Sequence, residues 1–360
     1  MDEWGADMKF GLIGCGWIAE KAYIPAFQRI ENVAIEAVFD PDKMQLRNIQ
    51  SKYHIPFAFN SVEALLDCPI DAVIIAAPNY IHTRYSNMAL EAGKHVLCEK
   101  PVALRAADIQ GTIDLAKKKK LIFLPGFVSR FRKDVLVFNK IAAQVGEIRC
   151  IDAQWVRSGG VPRPGTWITN RKLAGGGVLI DIGTHLLDIC LMHVKDKKID
   201  FMRACMEKAS CRTVKESAAW CERETARCYD IDVETESSGE IRFAGGLLLR
   251  YNLNWAMPAG KDKTYIEITG SKGTVSFDSL FGFSSNYGEK NILISLEKGQ
   301  THQITFPVKN TFSFDAFVSL VEYFIHLING GQPDVLCSSD ALYIVELIEK
   351  LYQSVPAGGN

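Results

Sequence analysis

The chain has 360 residues, of which 48% are hydrophobic and 23% charged, and its formal net charge is −1. This length suits two domains of roughly 100 to 200 residues each, and the near-neutral charge excludes the strong field that recruits nucleic acid. The N-terminus lacks a basic region followed by an apolar one, and no apolar run approaches the roughly 18 residues that span a bilayer. We therefore expect a cytoplasmic protein with neither nucleic acid nor a membrane as partner.

Ten cysteines are scattered along the chain without a C-x-x-C pair. Four of them form a loose group with spacings of six, ten and seven, which match no zinc template: Cys205, Cys211, Cys221 and Cys228. We expect reduced, structural cysteines and no metal site.

From residue 9 to about residue 127, short apolar runs alternate with amphipathic segments. Strands are predicted over 10–13, 34–39, 72–76, 95–98 and 121–124, and helices over 18–30, 42–53, 62–66, 80–91 and 105–118. This alternation indicates repeated βαβ units. The predicted first domain, residues 1–126, is an α/β Rossmann fold with a doubly wound parallel sheet.

The pattern changes beyond residue 126. Helices are predicted over 133–143, after the triple glycine 175–177, and over 314–328 and 339–352; strands are predicted over 148–157, 199–206, 233–243, 246–253, 265–269, 274–277, 292–296 and 303–306. Closely spaced strands with glycine turns favour an antiparallel sheet. The predicted second domain, residues 127–360, is therefore α+β, and the boundary falls near 126–130.

A glycine-rich turn, residues 14–19 (GCGWIA), directly follows the first strand and begins a helix. In a dinucleotide site, Gly14 permits the tight turn, Gly16 lets the backbone approach a pyrophosphate, and Ala19 allows close packing. Asp40 ends the second strand, where a carboxylate accepts hydrogen bonds from the adenosine ribose and repels a 2′-phosphate. NAD is then favoured over NADP. Alternatively, Asp40 is a turn residue before Pro41.

Two further segments carry candidate chemistry. Lys100 lies just past a predicted strand, at the edge where open parallel sheets bind ligands. Asp181 and His185 are four residues apart, so a helix places them on one face, where a carboxylate can orient an imidazole that exchanges protons. Alternatively, Asp181 initiates the helix and His185 is a packed imidazole.

Five motifs occur together in the order of a known family: residues 14–19, 77–82 (APNYIH), 93–101 (GKHVLCEKP), 175–188 (GGGVLIDIGTHLLD) and 270–273 (GSKG). Together they resemble the glucose-fructose oxidoreductase, inositol dehydrogenase and rhizopine-catabolism family, written Gfo/Idh/MocA. The resemblance covers nearly the whole chain. It implies an N-terminal Rossmann domain and a C-terminal domain with a large, mostly antiparallel open sheet, often used for oligomerisation, so a homo-oligomer (dimer or tetramer) is expected.

The resemblance also implies roles for single residues. Lys100 binds and polarises the reacting hydroxyl, His185 is the acid/base, and Asp181 contacts the substrate or orients the histidine. The cofactor-binding set is Gly14, Gly16, Trp17, Ile18, Asp40, Pro78, Asn79, His82, Glu99 and Lys100. Tyr80 and His82 can instead be ordinary helix-opening residues.

Basic and aromatic residues before the triple glycine, with one arginine near the domain boundary, are candidate substrate contacts beside Asp181 and His185: Arg130, Arg157, Arg163, Trp167, Arg171 and Lys172. Basic groups there suit a carboxylate or phosphate on the substrate, or they are solvated loop charges. The stretch from Lys208 to Tyr229 matches no family motif and receives no role.

The expected function is an NAD-dependent dehydrogenase that transfers hydride between nicotinamide and a secondary alcohol of a sugar, amino sugar, sugar phosphate or cyclitol. One rival is a hydrolase or eliminase that uses held NAD for transient substrate oxidation, and constant NADH during turnover would reveal it. The other is a non-catalytic NAD-binding regulator, against which the joint presence of Lys100, Asp181 and His185 argues.

Overall fold

The computed structural model describes residues 8–158, 160–194, 197–208, 231–255, 257, 260–283, 291–296, 300–306 and 311–355. The chain divides into two compact units: Met1–Phe131 with Phe314–Leu342, and Arg132–Ser313 with Tyr343–Asn360. The predicted boundary near 126–130 lies close to the first break. Residues 314–342 group with the first unit, whereas the sequence places them in the predicted second domain, 127–360.

The first unit contains a six-stranded parallel sheet. Its strands are β1 (Met8–Ile13), β2 (Val33–Phe39), β3 (Phe57–Phe59), β4 (Ala72–Ile75), β5 (His95–Glu99) and β6 (Phe123–Gly126), in the order β3-β2-β1-β4-β5-β6. Between them lie α1 (Ile24–Phe27), α2 (Lys43–Tyr53), α3 (Val62–Leu66), α4 (His82–Glu91) and α5 (Ala106–Lys119). The predicted doubly wound α/β sheet is confirmed.

The second unit contains an eight-stranded mixed sheet. Its strands are β7 (Ile148–Val156), β8 (Ile199–Glu207), β9 (Glu236–Phe243), β10 (Leu248–Asn254), β11 (Lys263–Gly270), β12 (Gly273–Ser279), β13 (Asn291–Leu296) and β14 (Gln300–Thr305). The order is β14-β13-β12-β11-β7-β10-β9-β8, and every described pair is antiparallel except β7 with β10. The predicted mostly antiparallel open sheet is confirmed.

The structure describes five further α-helices: α6 (Lys133–Ala142), α7 (Arg171–Ala174), α8 (Thr184–Leu191), α9 (Thr311–Ile328) and α10 (Ser338–Gln353). By length and apolar composition alone, the segment Arg171–Leu191 could cross a membrane, but 78% of its most apolar window is buried inside the protein. Burial of this kind is what the core helix of a folded unit shows.

The helix α9 from Phe314 onward belongs to the first unit, where its aromatic side chains pack on β1 and on the helical turn Ala19–Tyr23. The Phe317 ring lies edge-on to Tyr23, with centroids 5.0 Å apart, and the Phe324 ring lies 6.2 Å from Phe10. All four of these side chains are fully buried. A late segment of the chain therefore completes the core beside the six-stranded parallel sheet.

Candidate functional site

The turn after β1 has the backbone that a dinucleotide site requires. Gly14 has φ +98°, and a Cβ added there would lie 2.5 Å from the Ala76 carbonyl oxygen, so only glycine fits. At Gly16, by contrast, an added Cβ would meet nothing within 4 Å. The backbone at Gly16 therefore borders open space, which fits the close approach of a pyrophosphate.

The segment after this turn begins with π-helical geometry over Ala19–Tyr23 and continues into α1. Ala19 is fully buried, as the predicted close packing requires, whereas Trp17 and Ile18 are half-buried. A single π-turn inside a helix is rare and is frequent at functional sites.

The Asp40 carboxylate, which follows β2, contacts the glycine turn. One of its oxygens accepts a hydrogen bond from the Cys15 amide at 2.8 Å, and the other accepts one from the Asp42 amide, also at 2.8 Å. Burial and the nearby Asp40 raise the pKa of the Cys15 thiol to about 12. Asp40 therefore has the turn role of the sequence alternative, and its contact with a ribose stays a prediction.

The segment after β4 is held by His82. Its side chain is 1% exposed, with Nδ1 2.8 Å from the Pro101 carbonyl oxygen and Nε2 2.7 Å from that of Ala77. Burial lowers the pKa of this imidazole. His82 thus ties the turn that contains the half-buried Pro78 and the buried Asn79 to the segment that follows Lys100. Its contact with a cofactor stays a prediction.

The end of β5 presents Lys100 beside a buried carboxyl group. One Glu99 oxygen accepts a hydrogen bond from the Tyr23 hydroxyl at 2.7 Å, and the other accepts one from the Lys100 amide at 3.1 Å. Burial raises the pKa of Glu99, and burial together with Glu99 raises that of Tyr23. The backbone of Lys100 is therefore anchored, while its side chain is half-buried.

Arg130, predicted to contact substrate, has structural partners in the first unit. Its Nη1 donates to the Val335 carbonyl oxygen at 2.9 Å and to an Asp340 carboxylate oxygen at 3.0 Å. Arg130 is 4% exposed and Asp340 is 6% exposed. This buried ion pair joins the end of the first segment to the start of α10, and a substrate contact at Arg130 stays a prediction.

The second unit carries the predicted Asp–His pair. Asp181 lies in a π-helical stretch, Leu179–Gly183, and His185 follows in the first turn of α8. Both side chains are half-buried. The expected helical segment after the triple glycine is confirmed, but a π-turn replaces the uniform α-helix that the four-residue spacing assumed.

Two donors hold the Asp181 carboxylate. Its Oδ2 accepts a hydrogen bond from Trp255 Nε1 at 3.1 Å and pairs with Arg157 Nη1 at 3.5 Å. Burial lowers the pKa of the Arg157 guanidinium, while Asp181 and Asp262 oppose that shift. Arg157, predicted as a substrate contact, thus contacts Asp181.

The Trp155 ring lies between Arg157 and His185 in the chain of contacts. The Trp155 ring lies beneath the Arg157 guanidinium at 5.4 Å and 6.2 Å from the His185 ring. Trp155 is 2% exposed, and its Nε1 has no hydrogen-bond partner among the described residues. Arg157 and His185 therefore both contact the buried Trp155 indole, and Arg157 also pairs with Asp181.

The remaining candidates lie on the loop before the triple glycine. Arg163 is exposed, with φ +40°, and Trp167 is half-buried. The Arg171 guanidinium stacks over the Tyr352 ring at 5.5 Å, and Lys172 lies in the short α7. Of the predicted substrate contacts, Arg157 pairs with Asp181 and contacts the same Trp155 ring as His185. Roles for Arg163 and Trp167 stay predictions.

One segment singled out in the sequence lies outside the residues that the structure describes. The stretch from Lys208 to Tyr229 lies outside the described residues apart from Lys208 itself, and with it lie Cys211, Cys221 and Cys228. Within the described part of the chain, no three His, Cys, Asp or Glu side chains cluster as they would around a metal ion.

Sequence reasoning missed several residues of the site. Trp255, Tyr23 and Glu234 all contact predicted site segments through hydrogen bonds over long stretches of chain. The triple glycine was the available signal for Glu234, because a Cβ at Gly177 would overlap the Glu234 carbonyl oxygen. Such close approach of two backbones marks a packed contact that a single sequence does not identify.

Two family models match the chain. Residues 8–127 match the Gfo/Idh/MocA oxidoreductase family with an NAD-binding Rossmann fold, and residues 142–276 match the Gfo/Idh/MocA C-terminal domain. The two matches coincide with the parallel sheet and with most of the mixed sheet.

Similar proteins extend over nearly the full length. A D-glucoside 3-dehydrogenase of Escherichia coli (strain K12) is 27% identical over 357 residues, covering 98% of this chain and 96% of that protein. A myo-inositol 2-dehydrogenase of Thermotoga maritima is 23% identical over 346 residues, covering 92% of each. A crystal structure of a 3-ketoreductase from Actinomadura kijaniata, in complex with NADP and TDP-benzene, has a TM-score of 0.76 at 20% identity and covers 97% of this chain and 98% of that one.

The family matches, the two sheets and the glycine turn agree with one another. The chain belongs to the Gfo/Idh/MocA family of oxidoreductases, whose N-terminal domain is an NAD-binding Rossmann fold.

Proposed function

We propose that this protein is an NAD-dependent dehydrogenase that exchanges hydride with a secondary alcohol of a sugar, amino sugar, sugar phosphate or cyclitol. The observation that carries the proposal is the Asp181 carboxylate, held by Trp255 and Arg157 in the same helical segment as His185. An oriented carboxylate next to a half-buried imidazole suits proton exchange with a hydroxyl.

His185 is proposed as the group that takes the hydroxyl proton during oxidation and returns it during reduction. Asp181 is proposed to orient the imidazole. The Trp255 and Arg157 donors keep one Asp181 oxygen in place, which restricts the rotation of the carboxylate. In this role Arg157 acts through Asp181 rather than by direct recognition of substrate.

Lys100 is proposed to bind the reacting oxygen and to stabilise the negative charge that develops on it. The anchoring of its backbone by Glu99, and of the following proline by His82, supports this role. Lys100 belongs to the first unit, and Asp181 and His185 belong to the second. The proposal therefore requires that both units contribute to turnover.

The glycine turn is proposed to hold the dinucleotide. The open space at Gly16 and the tight turn at Gly14 fit a pyrophosphate on backbone amides. When bound, the nicotinamide exchanges the hydride with the reacting carbon. Trp17, Ile18, Pro78, Asn79 and Glu99 are proposed to line the same site, and the Asp40 carboxylate favours NAD over NADP by charge.

A substrate panel tests the proposal. The 27% identical D-glucoside 3-dehydrogenase supports glucosides as first candidates, and the inositol 2-dehydrogenase supports cyclitols. Methyl glucosides, free hexoses, amino sugars, sugar phosphates, nucleotide sugars and myo-inositol are each incubated with NAD or NADP while absorbance at the reduced-nicotinamide band is followed. We expect stoichiometric cofactor reduction with at least one of them. Product formation without net reduction would instead indicate transient oxidation.

A further inference from the structure

The helical segment that carries Asp181 begins at an unusual cap. Three consecutive amides, of Gly177, Val178 and Leu179, all donate to Glu234: the first and third to its side-chain Oε1, at 2.8 and 3.2 Å, and the second to its main-chain oxygen, at 3.0 Å. The first amides of a helix have no partner inside the helix. One residue from a distant part of the chain thus satisfies all three.

The final helix supports the same carboxyl oxygen. The Tyr352 hydroxyl donates to Glu234 Oε1 at 2.8 Å, and a Cβ at Gly176 would overlap that hydroxyl. Because Gly176 and Gly177 lack side chains, the tyrosine and the Glu234 backbone can approach the start of the helix. The triple glycine therefore has a structural reason: it admits the cap.

The burial of Glu234 at this position has an energetic cost. Glu234 is 6% exposed, and its second oxygen, Oε2, has no hydrogen-bond partner among the described residues. Burial raises the pKa of its carboxyl group. A buried carboxyl oxygen without a hydrogen-bond partner costs folding free energy. A residue that is present despite this cost calls for an explanation beyond stability.

The cap is connected to the catalytic residues by a short path. The Asp181 amide donates to the Gly177 carbonyl oxygen at 2.9 Å. That carbonyl belongs to the same peptide group as the Val178 amide, which donates to the Glu234 main-chain oxygen. We propose that Glu234 is a positioning residue that fixes the helical turn carrying Asp181 and His185 for proton exchange. This inference rests on the proposed function of that pair, and it assigns to Tyr352 a supporting part.

Kinetics of four variants distinguish positioning from a purely structural role. Glu234→Ala removes the acceptor, Glu234→Gln keeps one oxygen acceptor in a similar volume, and Tyr352→Phe removes one donor. Ser237→Ala is the matched control, because Ser237 is buried three residues further along and its hydroxyl contacts Tyr251. Misplacement of a catalytic group by about 1 Å can lower the rate by about 10²-fold.

We expect Glu234→Ala to lower kcat by about 10²-fold with little change in KM or in NAD dissociation. Glu234→Gln should recover most of kcat, Tyr352→Phe should show a smaller loss, and Ser237→Ala should keep wild-type kcat. If Glu234→Ala lowers only the melting temperature and leaves kcat unchanged, the positioning role is wrong. If Glu234→Ala does not fold, Tyr352→Phe decides: a kcat below that of Ser237→Ala supports the positioning role, and wild-type kcat in Tyr352→Phe overturns it.

A second measurement needs no substrate. The chemical shifts of the His185 imidazole are recorded by NMR in the cofactor-free protein, with assignment by His185→Gln. They should move in Glu234→Ala, return toward wild type in Glu234→Gln and stay unchanged in Ser237→Ala. Unmoved shifts in Glu234→Ala contradict the inference. Moved shifts in a protein that oxidises no member of the panel would support positioning and refute the proposed function.

Discussion

The glycine turn of the first unit and the Asp181 helix of the second unit are held in place by contacts of different range. In the first unit, Asp40 binds the Cys15 amide across 25 residues of chain, and His82 contacts the Pro101 carbonyl across 19. Each contact joins loops at the ends of neighbouring strands. The partners are main-chain groups that the repeated βαβ pattern itself brings close.

In the second unit the corresponding contacts span longer stretches, comparable to the Tyr23–Glu99 hydrogen bond of the first unit, which spans 76 residues. Glu234 binds the Gly177 amide across 57 residues, Trp255 binds Asp181 across 74, and Tyr352 binds Glu234 across 118. Here side chains from just before β9, from just after β10 and from the last helix converge on one helical turn. Local motifs therefore identify the glycine turn proposed to hold the cofactor, whereas the position of the proposed proton-exchanging pair depends on tertiary packing.

Replacement of His185 tests whether the second unit carries the proton chemistry. His185→Ala should lower kcat by on the order of 10² to 10⁴, because acid/base catalysis contributes about that factor. The measurement is steady-state kinetics with the best panel substrate. His302→Ala, at an exposed histidine on β14, is the matched control. A residually active His185→Gln enzyme with an unchanged pH–rate profile would transfer the role to another group.

Replacement of Lys100 tests the contribution of the first unit. Lys100→Met should lower kcat by about 10² to 10³, the effect of losing one electrostatic donor to a developing oxyanion. NAD dissociation, measured by fluorescence titration, should change little, because the ammonium acts on the substrate oxygen. Lys119→Met, at a surface ion pair with Glu91, is the control. Near wild-type turnover in Lys100→Met would refute the assignment.

Acid should weaken the second unit through His193, which follows α8. Burial lowers the pKa of His193 from its ordinary value of 6.5 to about 4, and its Nε2 lies 3.0 Å from Asn139 Oδ1. Because the folded pKa is the lower one, this neutral histidine stabilises the fold above pH 6.5, and that contribution is lost as the pH falls toward 4.

The loss should reach on the order of 3 kcal/mol in free energy of unfolding. Urea unfolding of wild type and His193→Gln at pH 7 and pH 4.5 measures it, and the variant should lose less stability than wild type. Equal losses in both proteins would show that other groups control acid unfolding.

Cofactor preference tests Asp40, whose expected effect is smaller. A hydrogen bond to a charged acceptor contributes roughly 1.5 to 3 kcal/mol, so Asp40→Ala should weaken NAD by about one to two orders of magnitude and narrow the gap to NADP. Asp40→Asn keeps an acceptor for the turn but loses the charge, and should also narrow the gap. The measurement is kcat/KM with both cofactors.

The control for Asp40 lies two residues away. Asp42 caps α2 through the Met44 and Gln45 amides, so Asp42→Ala should lower stability without changing the NAD-to-NADP ratio. If the wild type prefers NADP, or if both Asp40 variants weaken the two cofactors equally, Asp40 acts only as a turn residue.

Much of the fold could be predicted because its signals are local. Apolar periodicity located every strand of the first unit except β3 (Phe57–Phe59), which is three residues long and lacks a fully buried side chain. The start of α9 and its core residue Phe317 could not be assigned to a unit from sequence, because only tertiary packing against Tyr23 decides that.

The residues of the candidate site also divide into those that a local motif reveals and those that only tertiary packing brings there. Gly14 and the Asp181–His185 spacing are visible as motifs, since a turn or a helix needs those residue types at those intervals. Glu234 and Trp255 are ordinary residues in their own segments. Their contacts with the Asp181 helix follow from strand order in the mixed sheet, which a single sequence does not specify.

The most direct test of the proposed function is the fate of one hydrogen atom. The panel substrate that reduces the cofactor is prepared with deuterium at the reacting carbon, and the reduced nicotinamide is analysed by mass spectrometry after a single turnover. We predict one deuterium in the cofactor and a ketone at that carbon, and both signals should form at least about 10²-fold more slowly in His185→Ala and Lys100→Met. A product that forms while the recovered cofactor stays oxidised and free of deuterium would contradict the assignment as a net dehydrogenase.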